Sequence, residues 1–188
     1  MRVSTAPVPA LLTVQSINLT TDYPSDVLPA VLAIAHKDLS AGHQCYQHGQ
    51  LSQAQQKFTA ALSYYSQAQA TDGIGKSLSG LSAVHLQLGA VEAALACSQA
   101  AVAVLEETSA TIDYAIALYH LGLSHGARHQ PHQAERYLTQ ALALFEALGD
   151  RVYENEVLLH LGQLYRQQSQ FTFALASYRA VLDSLIQE

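Results

Sequence analysis

Three groups of residues in this chain have types and spacings that could do chemistry: the run Gly75-Lys76-Ser77, the histidines His120, His125, His129 and His132, and the cysteines Cys45 and Cys97. A phosphate-cradling loop needs a glycine five residues before the Gly-Lys-Ser triplet, and a strand leading into it. The residue at that place is Ala70, and no strand-like run precedes it. Lys76 therefore reads as an exposed or groove residue near the start of a helix. Four histidines within thirteen residues have the composition of a metal centre. Whether they converge depends on the elements that carry them. The two cysteines stand about fifty residues apart, too few and too distant for a disulfide framework or a structural zinc site. They read as buried, reduced thiols.

The elements are legible from composition and, above all, from self-similarity. Hydrophobic residues make up 49% of the 188 residues and charged ones 13%, enough apolar material for one folded domain. Ala, Leu and Gln are abundant and β-branched runs scarce, which favours helix. Nine Lys plus Arg stand against fifteen Asp plus Glu, with no basic cluster, so a nucleic-acid partner is not expected. After Arg2 come Ser4, Thr5, Pro7 and Pro9 rather than an unbroken apolar core, so no signal peptide is expected. The apolar stretch from Val27 to Ala35 is about half a membrane span. A cytoplasmic location without membrane insertion follows as the expectation.

Shifting the sequence against itself by about 40 residues aligns several columns at once. One reads Gly42, Ser82, Gly122, Gly162, with Ala41, Leu81, Leu121 and Leu161 just before it. Others read Cys45, His85, His125, Tyr165; Ala54, Ala94, Ala134, Ala174; and Phe58, Ser98, Leu138, Tyr178. Ala61, Ala101, Ala141 and Val181 form a further column, followed by Leu62, Val102, Leu142 and Leu182. Small residues recur where two helices cross closely, and larger ones fill the space beside the crossing. Gly49 and Gly89 mark tight turns inside the first two units, and Pro131 the corresponding turn in the third. Asp72, Thr111 and Asp150 read as N-caps of the first helices of units two to four.

These columns predict eight helices, at about 25–48, 51–69, 73–88, 91–107, 111–128, 132–148, 151–168 and 171–187. Paired, they make units at about 25–70, 71–108, 109–148 and 149–188, preceded by an extended or mobile arm over residues 1–24. The beat also disperses the histidines. His125 shares a column with Tyr165 and points into the packing, His120 shares one with His160, and His129 and His132 belong to a turn. No cofactor or metal is expected.

The pattern Leu161, Gly162, Tyr165, Ala174, Tyr178 resembles the tetratricopeptide signature, and the third unit keeps Leu121, Gly122, Ala134 and Ala141 with His125 at the Tyr place. A 40-residue unit resembles the longer-helix variety of that family, whose units join at an L-G-D turn, here Leu148, Gly149, Asp150. The resemblance implies an all-α, right-handed superhelical solenoid of four helical hairpins whose first helices line a concave groove. Carried onto the columns, groove residues are His36, Leu39, His43 and Tyr46 in the first unit, and Lys76, Ser79, Ala83 and Leu86 in the second. The third supplies Ile116, Tyr119, His120 and Leu123, and the fourth Leu159, His160, Gln163 and Arg166.

Family members that grip the acidic C-terminus of chaperones use several Lys, Arg and Asn there. Here the basic residues are mainly Lys76 and Arg166, so that activity is not carried over. The groove suits a helix or an extended peptide of another protein. A non-catalytic interaction module (an adaptor or assembly factor) is the leading reading. A peptide-responsive or pH-sensitive regulator comes second, because several groove positions are histidines. A metal-dependent enzyme is the remote alternative. The last helix carries Leu175, Tyr178, Val181, Leu182, Leu185 and Ile186, a wide apolar arc that predicts contact with a second copy, a partner or the N-terminal arm.

Overall fold

A computed structural model describes residues 27–108 and 111–186. The arm expected over residues 1–24 lies outside them. Eight α-helices follow one another: α1 (Leu28–Gln47), α2 (Leu51–Gln67), α3 (Thr71–Gln87), α4 (Val91–Leu105), α5 (Ile112–Ala127), α6 (Pro131–Leu148), α7 (Arg151–Gln167) and α8 (Phe171–Ile186). A 3₁₀ turn, Glu106–Thr108, extends α4. Among the described residues there is no strand.

Helices pair as hairpins, α1 with α2, α3 with α4, α5 with α6 and α7 with α8, and each second helix packs on the first helix of the next pair. Each hairpin turn is closed in the same way. At the end of α1, the Gly49 amide donates to the Tyr46 carbonyl and the Gln50 amide to the Cys45 carbonyl. This two-bond closure needs one residue in the left-handed region. Gly49 takes it at φ 71° and Gly89 at φ 70°, where a glycine has no steric penalty. His129 and Ser169 accept φ 60° at the same place in the last two hairpins. Thr111 and Asp150 cap α5 and α7 as expected, their side chains accepting from the Tyr114 and Tyr153 amides. Asp72 does not cap α3: the helix begins at Thr71, and Asp72 lies in its first turn, where a carboxylate favours the positive end of the helix dipole.

The repeat columns become the core. Ala54, Ala94, Ala134 and Ala174 are all buried at the hairpin crossings. Where the glycine column carries Ser82, its hydroxyl donates to the Ala94 carbonyl on the facing helix, so the extra atom is satisfied rather than stranded. A further column of the same repeat, Tyr65, Leu105, Phe145 and Leu185, seals one hairpin onto the next. Tyr65 lies over Gly73 of α3, Leu105 clusters with Ala117 of α5, and Phe145 stacks on Tyr153 of α7 at 4.9 Å between centroids. Leu185 has no such cover among the described residues and is 56% exposed. Along α8, Val181 is buried and Tyr178 packs over Gly162, whereas Phe171, Phe173, Leu175, Leu182 and Ile186 are exposed.

Candidate binding cavity on the inner face

The first helices of all four hairpins contribute to one cavity of about 820 Å³. Its wall carries His43 and Tyr46 from α1, Lys76, Ser79, Gly80, Ala83 and Leu86 from α3, Ile116, Tyr119, His120 and Leu123 from α5, and Glu156 and His160 from α7. Eleven of the sixteen groove positions read from the sequence therefore meet in one space. Gln163 borders a smaller recess of about 320 Å³ between α5 and α7, beside Gly122, Leu123 and His160.

Four of the sixteen stand elsewhere. Leu39 is buried in the α1–α2 core. His36 turns outward, its Nδ1 on the Leu32 carbonyl and its ring edge against Tyr65. Leu159 is 41% exposed outside the cavity although its column mates Ser79 and Tyr119 line it. Arg166 borders neither the cavity nor the recess. Conversely, Phe58, Asp113 and Tyr153 reach the cavity without having been read as groove residues. Phe58 belongs to α2, a second helix. It arrives because Gly42 and Gly80 leave room for its ring; a Cβ at either glycine would stand 2.7 and 2.6 Å from it.

Charge and polarity in the cavity are unevenly distributed. Lys76 Nζ pairs with Asp113 Oδ2 at 3.2 Å. Glu156 forms no ion pair among the described residues; its carboxylate interacts with the Tyr119 phenol. Glu156 is exposed to the open cavity, and partial desolvation there holds its carboxyl above the usual carboxylate range; burial together with the Glu156 charge raises the Tyr119 phenol. His43, His120 and His160 are all pushed toward the neutral form, chiefly by burial, and His120 falls to about 4. Two buried polar atoms of the wall lack a hydrogen-bond partner among the described residues, Ser79 Oγ and His120 Nδ1. Tyr119 organises the aromatic part. Its ring meets Tyr153 at 6.3 Å and 70°, His120 at 5.3 Å and His160 at 5.7 Å.

The remaining candidates for chemistry are dispersed. His125 is buried, stacks on Tyr137 and bonds Gln130, while His129 and His132 are exposed. No three His, Cys, Asp or Glu side chains gather as metal ligands among the described residues. Burial pushes the Cys97 thiol up to about 11, which disfavours the thiolate a nucleophile needs. Cys45 is half-buried with its sulfur 3.9 Å from Gln53 Oε1.

The tetratricopeptide repeat sequence profile matches residues 73–147 and again 113–187. The chain belongs to the tetratricopeptide repeat family. The two overlapping matches begin at positions 73 and 113, the same beat as the internal columns. No curated protein matches the sequence significantly.

Among solved structures, this tetratricopeptide array is similar to aspartyl phosphate phosphatase F from Bacillus subtilis, with a TM-score of 0.73 and 17% identity over 83% of this chain. The chain spans 41% of that protein's length. BtubC (BKLC) from P. vanneervenii aligns at a TM-score of 0.63 and 18% identity, covering 86% of this chain and 74% of that one. The MamA RS-1 ArsTM double mutant aligns at 0.58 and 19% identity, covering 81% and 76%. At these identities the likeness is one of fold. A helical repeat array of this family is a protein-interaction module. No described helix is long and apolar enough to cross a membrane.

Proposed function

We propose that the protein is a non-catalytic adaptor or assembly factor of the cytoplasm that takes a helix or peptide segment of another protein into its inner cavity. The observation carrying this reading is the continuous wall of α1, α3, α5 and α7, which joins all four hairpins around one space of about 820 Å³. Its mixture of apolar surface (Ala83, Leu86, Ile116, Leu123) and a few polar groups is what segment recognition uses. The neutral state favoured for His43, His120 and His160 supports a constant rather than a pH-gated surface near neutrality.

Ile116 and Leu123 are only half-buried and can take a charge with less damage than Tyr119, which is 6% exposed. The double variant Ile116→Asp, Leu123→Asp is expected to weaken capture of partners from native lysate by about tenfold or more. Gln140→Asp, at an exposed position of α6, is expected to leave capture unchanged. Equal capture by all three proteins would place binding on another face.

The bare stripe of α8 supports a second contact, between two copies of the chain. Covering it removes several large apolar side chains from water, each worth about 1.5–3 kcal/mol when fully buried. Light scattering is expected to show a mass that rises with concentration, and a Leu182→Glu, Leu185→Glu variant fixed at the monomer mass. A wild-type mass that stays monomeric at every concentration removes the self-contact.

A further inference from the structure

The cavity contains a carboxylate without a cationic partner among the described residues, and its surroundings describe what would complete it. Glu156 lies one turn beyond Tyr153 on α7 and interacts with Tyr119 across the gap to α5. Tyr153 is held in place by its parallel stack on Phe145, and Tyr119 meets it nearly at right angles. Tyr46 of α1 completes the setting from across the cavity, near enough for its phenol to respond to the Glu156 charge. Lys76, the one Lys or Arg among the described residues of the wall, is occupied by Asp113. The wall therefore carries a net negative charge concentrated at Glu156, beside tyrosine rings whose faces are electron-rich. That combination attracts a cation.

We propose that this corner is a subsite for an arginine side chain on the partner segment, with the guanidinium on the Glu156 carboxylate and beside the Tyr153 and Tyr46 rings. The proposal rests on the inner cavity being the binding face. Arginine fits better than lysine for two reasons: its planar fork bonds a carboxylate through two N–H groups, and its weakly hydrated face stacks on aromatic rings. A second, independent feature points to an occupant. Ser79, 6% exposed and part of the same wall, keeps its hydroxyl oxygen without a partner among the described residues, as does His120 its Nδ1. An extended segment carrying the arginine presents backbone N–H and C=O groups that can satisfy both. Unpaired buried polar atoms of this kind are rare in folded proteins unless something meets them.

The test uses the full chain and three acetylated, amidated pentapeptides that differ only at the centre: Ala-Leu-X-Leu-Ala with arginine, lysine or citrulline. Citrulline keeps the shape of arginine and removes its charge. Binding is followed through the tyrosine ring resonances in NMR titrations. The arginine peptide is expected to shift the Tyr153 and Tyr46 signals saturably, and to bind about tenfold or more tightly than the citrulline peptide. Glu156→Gln, with folding checked by its thermal transition, is expected to erase that difference, whereas Glu154→Gln on the same helix keeps it. Equal shifts from arginine and citrulline, a preference that survives Glu156→Gln, or no shift up to millimolar peptide each overturn the subsite. Equal binding of all three peptides, abolished by Ile116→Asp with Leu123→Asp, would overturn the arginine subsite while leaving the cavity as the binding face.

Discussion

Replacing Phe58 by alanine is expected to lower the free energy of unfolding by about 3–5 kcal/mol and the thermal midpoint by roughly 10 °C. The ring is 1% exposed and joins three helices: it grows from α2 and lies against the glycine Cα atoms of α1 and α3 at Gly42 and Gly80, with His43 at its edge. Neither glycine has a side chain that could relax into the space, so a cavity remains, and its cost adds to the lost burial. A companion measurement isolates the cause. In the native chain, Gly80→Ala places a Cβ 2.6 Å from the Phe58 ring, and this overpacking, about 1–3 kcal/mol, opposes a helix-propensity gain of about 1 kcal/mol. With Phe58 already truncated, only the propensity gain is left, and Gly80→Ala is expected to stabilise. Urea denaturation of the two single variants and the double variant gives the coupling. Additive effects would mean that ring and glycine do not depend on one another.

The second large effect concerns acid. His120 titrates at about 4 in the folded protein, chiefly because its ring is removed from water and secondarily because His160 is close. In the unfolded chain an imidazole titrates near 6.5. Since the folded value lies below the unfolded one, the unfolded state binds the proton more readily between them. His120 thus contributes its full stability above about pH 6.5, and loses it progressively as the pH falls toward 4. By pH 4.5 the loss amounts to about 2–3 kcal/mol. His160 is shifted in the same direction and steepens the fall, while the exposed His43, shifted likewise, adds little because solvent screens it. Unfolding free energies from urea denaturation at pH 7 and pH 4.5 should show a drop for the native chain that is smaller by this amount in His120→Gln. Identical drops in the two proteins would mean that His120 is hydrated in the fold.

The architecture was readable because it repeats. One shift of the chain against itself aligned the small residues at helix crossings with the large ones beside them, and each helix boundary falls within a few residues of the expected place. Turn chemistry was readable wherever glycine marks it, and hidden where His129 and Ser169 accept the same left-handed geometry without a glycine. Within the cavity, columns predicted which first-helix residues look inward but treated every unit as equivalent. The units are not equivalent: Tyr119 of α5 is covered by the Tyr153 and His160 rings of α7, whereas α7 has no following first helix among the described residues. Ser79 and Tyr119 are consequently covered, while Leu159, in the same column, is open to water. Phe58 was missed for a different reason. Its column belongs to a second helix, and only the pairing of Gly42 with Gly80 across two hairpins lets a ring from that layer through to the inner face. No spacing within one unit carries that information, although the two glycines themselves were visible.

The uncovered end of α8 has a consequence for how such an array can lengthen. Tyr65 and Phe145 pack on the following hairpin, Leu105 packs between Gly75 of its own hairpin and Ala117 of the next, and Leu185 holds the same place without a following hairpin among the described residues. The geometry of a would-be neighbour is thus already written on the protein: a helix with a small or flat residue opposite Leu185, set at the same offset the interior hairpins use. A helix packed there at that offset, from another copy of this polypeptide or from elsewhere, would continue the stack of hairpins.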